Sequence, residues 1–195
     1  MKKMVVMAGL ALIIMACGNK TNGGGEVIDP RHVEEATEND EVTLDPEDEK
    51  LWNETAIEAR VNEIYQNLNG EYAKKGTDFS KFDAQYCTMD YLDLCEQVAK
   101  AEKGKKSTDR FFLDYRPWDN RLVMPVKVSN VRPTLLTGNK AEVFFDLTDA
   151  QGLVVTIGWS MRLEEGAWKV HNFHNGPNDQ GGIRKRMADY LEKNK

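Results

Sequence analysis

The fold is decided by the stretch Leu153-Val154-Val155-Thr156-Ile157-Gly158-Trp159-Ser160-Met161-Arg162-Leu163, which continues through Glu164-Glu165-Gly166 into Trp168-Lys169-Val170-His171-Asn172-Phe173. Every second position of the first run carries a large apolar side chain, which predicts a strand with one buried face. The short gap that contains Gly166 separates this run from the next one. Two such runs joined by a short glycine-containing gap predict a β-hairpin.

Two further alternating runs precede the hairpin. The first begins at Leu122, and its phase slips near Ser129-Asn130, which predicts a β-bulge. The second has Ala141, Val143, Phe145 and Leu147 as its apolar face. Polar turn segments separate the runs, so the sequence predicts four antiparallel strands.

The region before the sheet has helical periodicity instead. A set of apolar residues recurs every three or four positions, namely Ile57, Val61, Ile64, Tyr65, Leu68 and Tyr72. This spacing predicts a long amphipathic helix that begins near residue 46 or 53 and ends near residue 74. A second helical region breaks near Thr88, which can cap a third helix ending near Lys103. Helices followed by an antiparallel meander predict an α+β fold.

The N-terminus has the features of an export signal. Met1-Lys2-Lys3 is positively charged, and Met4 to Met15 is apolar but too short to span a bilayer. Ile14-Met15-Ala16-Cys17 resembles the bacterial lipobox, which implies that residues 1–16 are removed and that Cys17 is lipidated. The resemblance implies a cell-envelope protein held on a membrane by its N-terminal lipid, most simply the outer membrane. An ordinary signal peptide that is cleaved near Ala16 is the alternative.

The segment 17–44 is predicted to be a flexible acidic tether. From Cys17 to Lys50 there are eleven acidic and three basic residues, whereas residues 51–195 carry twenty-one of each. A short segment so rich in charge and so poor in aromatic residues cannot bury enough apolar surface to fold alone. The simpler interpretation is that this segment is a solvated spacer that holds the domain away from a membrane. The alternative is that it contains an interaction motif. The neutral remainder of the chain argues against nucleic acid as a partner.

The order of elements and the closing Gly166-Ala167-Trp168-Lys169-Val170 strand are similar to the NTF2-like, cystatin-type cone. More narrowly, the chain resembles the DUF3828 group of bacterial lipoproteins of unknown function. The loop Asp114-Tyr115-Arg116-Pro117-Trp118-Asp119 looks like a loose version of a loop in that group, with Arg116 where an Asp is expected. The resemblance spans roughly residues 51–175 and implies an NTF2-like domain over 45–176. It implies no single function, because the superfamily contains enzymes, transport factors and binding modules.

A cone of this type implies a pocket between the sheet and the long helix. The candidate lining residues are Tyr65, Trp118, Phe145, Ile157, Trp159, Trp168 and Asn172. A largely apolar pocket with a few polar groups is the usual form of a ligand site. These side chains could bind a small apolar ligand, or they could simply fill the interior against one another. Alternatively, a binding module of this kind could bind a peptide or a partner protein.

The sequence favours a non-catalytic module. His171 alternates with Trp168 and so is expected at the surface beside Lys169, unless a bulge shifts the phase. His171 and His174 lack a third ligand nearby, so no metal site and no cofactor are predicted. No catalytic residue is assigned, because neither a nucleophile elbow nor a phosphate loop is present. An isomerase or hydrolase that uses the cone as its active site is the alternative.

The remaining predictions concern the C-terminus and the cysteines. Residues 177–195 read as an amphipathic helix whose apolar face includes Ile183 and Met187. This helix is expected to dock on the domain or on the second copy in a homodimer, with anionic lipid as the alternative. Cys87 and Cys95 are expected to be buried free thiols, because eight residues of helix separate them by about 12 Å.

Overall fold

The computed structural model describes residues 48–74, 79–106, 111 and 117–194, together with Leu44 and Pro46. These residues belong to one compact unit, Asp40–Lys195. The predicted signal peptide, Cys17 and the tether as far as residue 43 lie outside the described residues. Residues 112–116, which include part of the loop 114–119, lie outside them too. None of the helices that the structure describes is both long and apolar enough to cross a membrane.

The predicted α+β class is confirmed. The elements in chain order are α1 (Asp48–Leu51), α2 (Glu54–Tyr72), α3 (Phe79–Tyr86), α4 (Met89–Ala101), β1 (Lys127–Leu135), β2 (Lys140–Thr148), β3 (Val154–Glu164), β4 (Ala167–His174) and α5 (Gly182–Lys193). The four strands form one open antiparallel sheet in the order β1-β2-β3-β4. Sequential neighbours are therefore spatial neighbours throughout the sheet.

The predicted hairpin is β3–β4. Glu165 and Gly166 both have positive φ, at 53° and 72°, and they alone separate the two strands. Two such residues in succession form the tight turn whose twist matches that of the strands. The face predicted to be buried is confirmed at Trp159, Met161 and Leu163, which are at most 2 % exposed. The prediction is wrong at Leu153, which precedes the strand and is 57 % exposed.

Strand β1 carries the predicted bulge but begins later than predicted. Its pairing with β2 shifts between Ser129 and Arg132, and Asn130 has φ 51°. The prediction that the strand begins at Leu122 is wrong. The Asn69 side chain on α2 donates to the Val126 carbonyl at 2.8 Å and accepts from its N–H at 2.9 Å. Both backbone groups of Val126 are therefore bonded to the Asn69 side chain, and Val126 pairs with no strand.

Two helices have side-chain caps at the places where the chain breaks. The Asn53 carboxamide accepts the Ala56 N–H at 2.8 Å and begins α2. Thr88 accepts the Tyr91 N–H and begins α4, as predicted. The spacing of Met89, Leu92, Cys95, Val98 and Ala99 predicts that these residues form the inner face of this helix. That prediction is partly wrong, because Met89 is 63 % exposed and Tyr91 is buried instead.

The break between α3 and α4 lies against the free edge of β4. Cys87 forms an isolated parallel bridge with Val170, and the Thr88 N–H donates to the Val170 carbonyl at 3.0 Å. This contact buries Cys87, which is a free thiol, as is the half-buried Cys95. Both are free thiols, as predicted, but the predicted burial is wrong for Cys95, which is only half-buried.

Helix α5 packs against α4 and β4. Its apolar residues Ile183 and Met187 are fully buried within the domain. Of the interpretations of the C-terminal segment, docking on the chain's own domain is therefore the one observed, and the helix begins at Gly182 rather than at residue 177.

Candidate functional site

Four of the candidate pocket residues lie together and touch. The rings of Tyr65 and Trp159 stack with centroids 5.5 Å apart, and Phe145 meets Trp159 edge-on at 4.8 Å. Trp118 meets the opposite side of this group, 5.6 Å from Trp159. All four side chains are at most 5 % exposed. We call Tyr65, Trp118, Phe145 and Trp159 the aromatic cluster. Its rings fill the space between α2 and the sheet by contact with one another.

Hydrogen bonds position the polar edges of this cluster. The Tyr65 hydroxyl donates to the Trp118 carbonyl at 3.0 Å, and the Trp118 indole N–H donates to Asp83 at 2.6 Å. Burial raises the pKa of Asp83, although the bond from Trp118 opposes that shift. The indole N–H of Trp159 is buried and has no hydrogen-bond partner among the described residues.

The other two apolar candidates have different surroundings. Ile157 pairs with Phe145 across β2 and β3 and is 3 % exposed, so it belongs to the same core. Trp168 is separate: it stacks on Trp52 at 5.6 Å and donates its indole N–H to the Leu51 carbonyl at 2.8 Å. Trp168 therefore holds the N-terminal turn α1 on the sheet.

Asn172 lies on the opposite face from the one predicted. The register of β3 and β4 shifts so that Ser160 pairs with Asn172 while Met161 pairs with Val170, which leaves His171 as the extra residue of a bulge. The slip turns Phe173 into the core, against Trp118 at 4.8 Å. Asn172 is turned toward α5 and away from the aromatic cluster.

The Asn172 carboxamide caps α5. Its oxygen accepts the Arg184 N–H at 3.1 Å, and its nitrogen donates to the Gly181 carbonyl at 3.1 Å. Gly181 itself provides no side-chain cap. An asparagine on a strand therefore satisfies a helix N-terminus that is otherwise without a side-chain acceptor, and Asn172 has a structural role.

The predicted surface position of His171 is wrong for the same reason. Its Nδ1 lies 3.0 Å from the Thr88 hydroxyl and 3.4 Å from the Arg184 guanidinium. Because a guanidinium only donates, Nδ1 is the acceptor and the proton of the neutral ring is on Nε2. Burial first, and then the charges of Arg184, Arg162 and Lys140, lower the pKa of His171 to about 3.

A second histidine pairs with a serine on the same part of the sheet. The Ser160 hydroxyl lies 2.8 Å from His174 Nε2, and His174 Nδ1 lies 3.0 Å from the Asp179 carbonyl. Ser160 and His174 are both half-buried. The sequence offered no signal for this pair, because the two residues are fourteen positions apart and face one another only through the register of β3 and β4.

One carboxylate of the loop before the sheet is fully buried. Asp119 accepts the Tyr72 hydroxyl and, at 2.9 Å, the Arg121 N–H. Asn120 and Arg121 have φ 45° and 63°, so the carboxylate closes a turn in the left-handed region. Among the described residues, no group of three His, Cys, Asp or Glu side chains could hold a metal ion.

Three exposed apolar residues lie where the β2–β3 turn meets the segment before β1, since the Ala150 N–H donates to the Val123 carbonyl at 3.0 Å. Val123, Leu153 and Val154 are 44 %, 57 % and 55 % exposed. The buried Asp149 carboxylate joins them, because it accepts the Leu153 N–H at 2.8 Å and the Val123 N–H at 3.3 Å. Burial works against ionisation of Asp149, but its backbone hydrogen bonds outweigh that and lower its pKa. We call Val123, Leu153 and Val154 the apolar end of the sheet.

Comparison with known proteins adds no further assignment. No protein-family model matches the chain, and no curated protein matches it in sequence.

Proposed function

We propose that this chain is a lipid-anchored cell-envelope protein whose NTF2-like domain binds a partner protein or a peptide and does not use its interior as an active site. The lipid would be carried by Cys17, and the outer membrane is the simplest location. The apolar end of the sheet is the observation that supports binding. Exposed apolar side chains that lie close together are typical of interaction sites, whereas single ones are common on any surface.

The interior gives less support to binding of a small apolar ligand or to an active site in the cone. Tyr65, Phe145 and Trp159 are at most 1 % exposed and touch one another. A ligand in this position would have to displace a ring that already has close neighbours. Separating side chains that are packed this closely would cost free energy, because their contacts would be lost. The proposed binding surface therefore lies outside the aromatic cluster.

The apolar end is also placed well for a tethered binding module. The tether would join the domain at α1, where Leu51 and Trp52 contact Trp168 beside the β3–β4 turn. Trp168 pairs with Leu163, and Val154 is nine residues from Leu163, at the other end of β3. At 3.3 Å per residue, that separation is roughly 30 Å. A partner could therefore meet the apolar end without displacing the membrane attachment.

The anchor is tested by mass spectrometry of the protein purified from its native membrane. We expect the mature N-terminal peptide to begin at Cys17 and to carry acyl chains. Several chains on one terminus would hold the protein stably, whereas one chain would bind only reversibly. A Cys17→Ala variant is the control and should leave the membrane fraction. An unmodified mature N-terminus at Gly18 would refute the anchor.

The binding surface is tested with a photoreactive amino acid placed at Leu153 in the membrane-anchored protein. We expect ultraviolet light to produce a discrete protein or peptide adduct at this position. Glu165, in the exposed turn at the opposite end of the sheet, is the matched control and should give none. Leu153→Asp in a protein carrying the photoreactive residue at Val154 should reduce the adduct at least fivefold. Equal adducts at Leu153 and Glu165, or none at either, would rule out a specific surface here.

A further inference from the structure

We propose that Ser160 is an activated nucleophile, with His174 as its general base, that accepts the acyl group of small activated esters. The site lies on the outer face of the sheet. It uses neither the aromatic cluster nor the apolar end, so it goes beyond the binding function proposed above and does not depend on it.

The hydrogen bonds of His174 determine which nitrogen is basic. The Asp179 carbonyl can only accept, so the hydrogen of the neutral imidazole must be on Nδ1, which donates to it across 3.0 Å. Nε2 then carries the lone pair and accepts the Ser160 hydroxyl hydrogen across 2.8 Å. A nucleophile bonded to a base that is itself oriented by a third group is the arrangement that activates a serine.

The third group is held firmly. The Asp179 carboxylate receives two bonds from the Arg186 guanidinium, at 2.8 Å and 3.0 Å. It also accepts the Asn175 N–H at 2.7 Å. The loop between β4 and α5 is therefore fastened at both ends around Asp179. This fastening keeps the carbonyl, and hence the imidazole, in position before any substrate arrives.

The Phe144 ring lies one residue pair along the sheet from Ser160, beyond its direct partner Glu142. Gly158 precedes Ser160 by two residues, so both are on the outer face of β3. Phe144, the partner of Gly158 on β2, lies directly over it, in the space that a larger residue would need for its Cβ. The half-buried Phe144 ring can therefore receive the short acyl chain of an ester whose carbonyl approaches Ser160.

The reaction balances without a cofactor. The Ser160 oxygen forms a bond to the ester carbonyl carbon while His174 Nε2 takes the hydroxyl proton. Collapse of the tetrahedral intermediate breaks the bond to the leaving group, which departs as an alcohol with that proton. Water, deprotonated by the same nitrogen, then attacks the acyl-serine and releases the acid.

The test is labelling of the folded protein with a fluorophosphonate probe. The serine oxygen attacks phosphorus and fluoride leaves, so the adduct stays bound to the residue that reacted. We expect the adduct at Ser160 on peptide mapping and none in Ser160→Ala. His174→Gln retains an acceptor for the hydroxyl but not a base, and it should slow labelling at least a hundredfold, as loss of general base catalysis does.

Two controls distinguish activation from simple exposure. Ser129 is an exposed serine of β1, and Ser129→Ala should leave labelling unchanged. Heat-denatured wild-type protein should not label at all. Thermal melting of each variant confirms that it is folded, and His174→Asn replaces the glutamine variant if that one is not. Labelling equally fast in the histidine variant, or no labelling of folded wild-type protein, would overturn the proposal.

Discussion

Replacement of Trp159 by alanine is expected to lower the free energy of unfolding by about 3–5 kcal/mol, the range for a large aromatic removed from a core. Trp159 is 1 % exposed and has ring contacts with Tyr65, Trp118, Phe145 and Phe173. The loss therefore combines the transfer of one large side chain to water with a cavity that four rings line. The neighbours cannot easily close that cavity, because each has its own hydrogen bond or strand position.

Urea denaturation followed by far-ultraviolet circular dichroism measures this loss without relying on tryptophan fluorescence. The matched control is Trp52→Ala, which removes a half-buried ring that stacks on Trp168, and it should cost less. Indole added to Trp159→Ala should recover part of the stability, because apolar cavities of this size bind aromatic molecules. A loss below about 1 kcal/mol would mean that the ring borders an open pocket, and binding of a small ligand in the cone would then regain support.

Acidification from pH 7 to pH 5 is expected to cost the wild-type protein about 2 kcal/mol of stability through His171 alone. The pKa of His171 is lowered to about 3 in the folded protein by burial and then by Arg184, Arg162 and Lys140. In the unfolded chain it returns to its ordinary value of about 6.5. Between these two values the unfolded state binds the extra proton. The contribution of His171 to the free energy of unfolding is therefore fully present above about pH 6.5 and is lost as the pH drops toward 3.

Denaturation curves at several pH values test this expectation. His171→Asn retains an acceptor for Thr88 and Arg184 but does not titrate, so its stability should change about 2 kcal/mol less than that of the wild type between pH 7 and pH 5. His32→Asn, in the segment outside the described residues, is the control and should keep the wild-type slope. Equal slopes in the wild type and in His171→Asn would show that His171 is protonated without penalty.

Much of the sheet was predictable because one buried face imposes a period of two. Ala141, Val143, Phe145 and Leu147 are at most 1 % exposed, in agreement with the alternation. The turn at Glu165 and Gly166 was also predictable, because its length and its glycine are those of a tight hairpin. These features depend only on local sequence, so the pattern of apolar residues and turn residues is enough to predict them.

The bulge at His171 could not be predicted from the pattern. The alternation alone does not decide which of Asn172 and Phe173 faces the core. Their contacts decide it: Asn172 caps α5, which follows the strand, and Phe173 packs on Trp118, which is far away in sequence. The same slip moved His171 from the expected surface into contact with Thr88 and Arg184. The contact between Ser160 and His174 is equally nonlocal, since it needs both the register of the hairpin and the loop that carries the Asp179 carbonyl. Sequence patterns specify faces of elements, whereas sites of this kind depend on which elements meet.

The contact of Cys87 and Thr88 with the outer edge of β4 has a consequence for self-association. An unpaired strand edge is a template on which another molecule can add a strand, and that route leads to aggregates and fibrils. At β4, the Thr88 N–H already occupies the Val170 carbonyl. At the other edge, β1 is interrupted by its bulge at Asn130 and contains Pro133. Copies crowded together should therefore resist joining into a continuous intermolecular sheet, so contacts between them would have to be made through side chains.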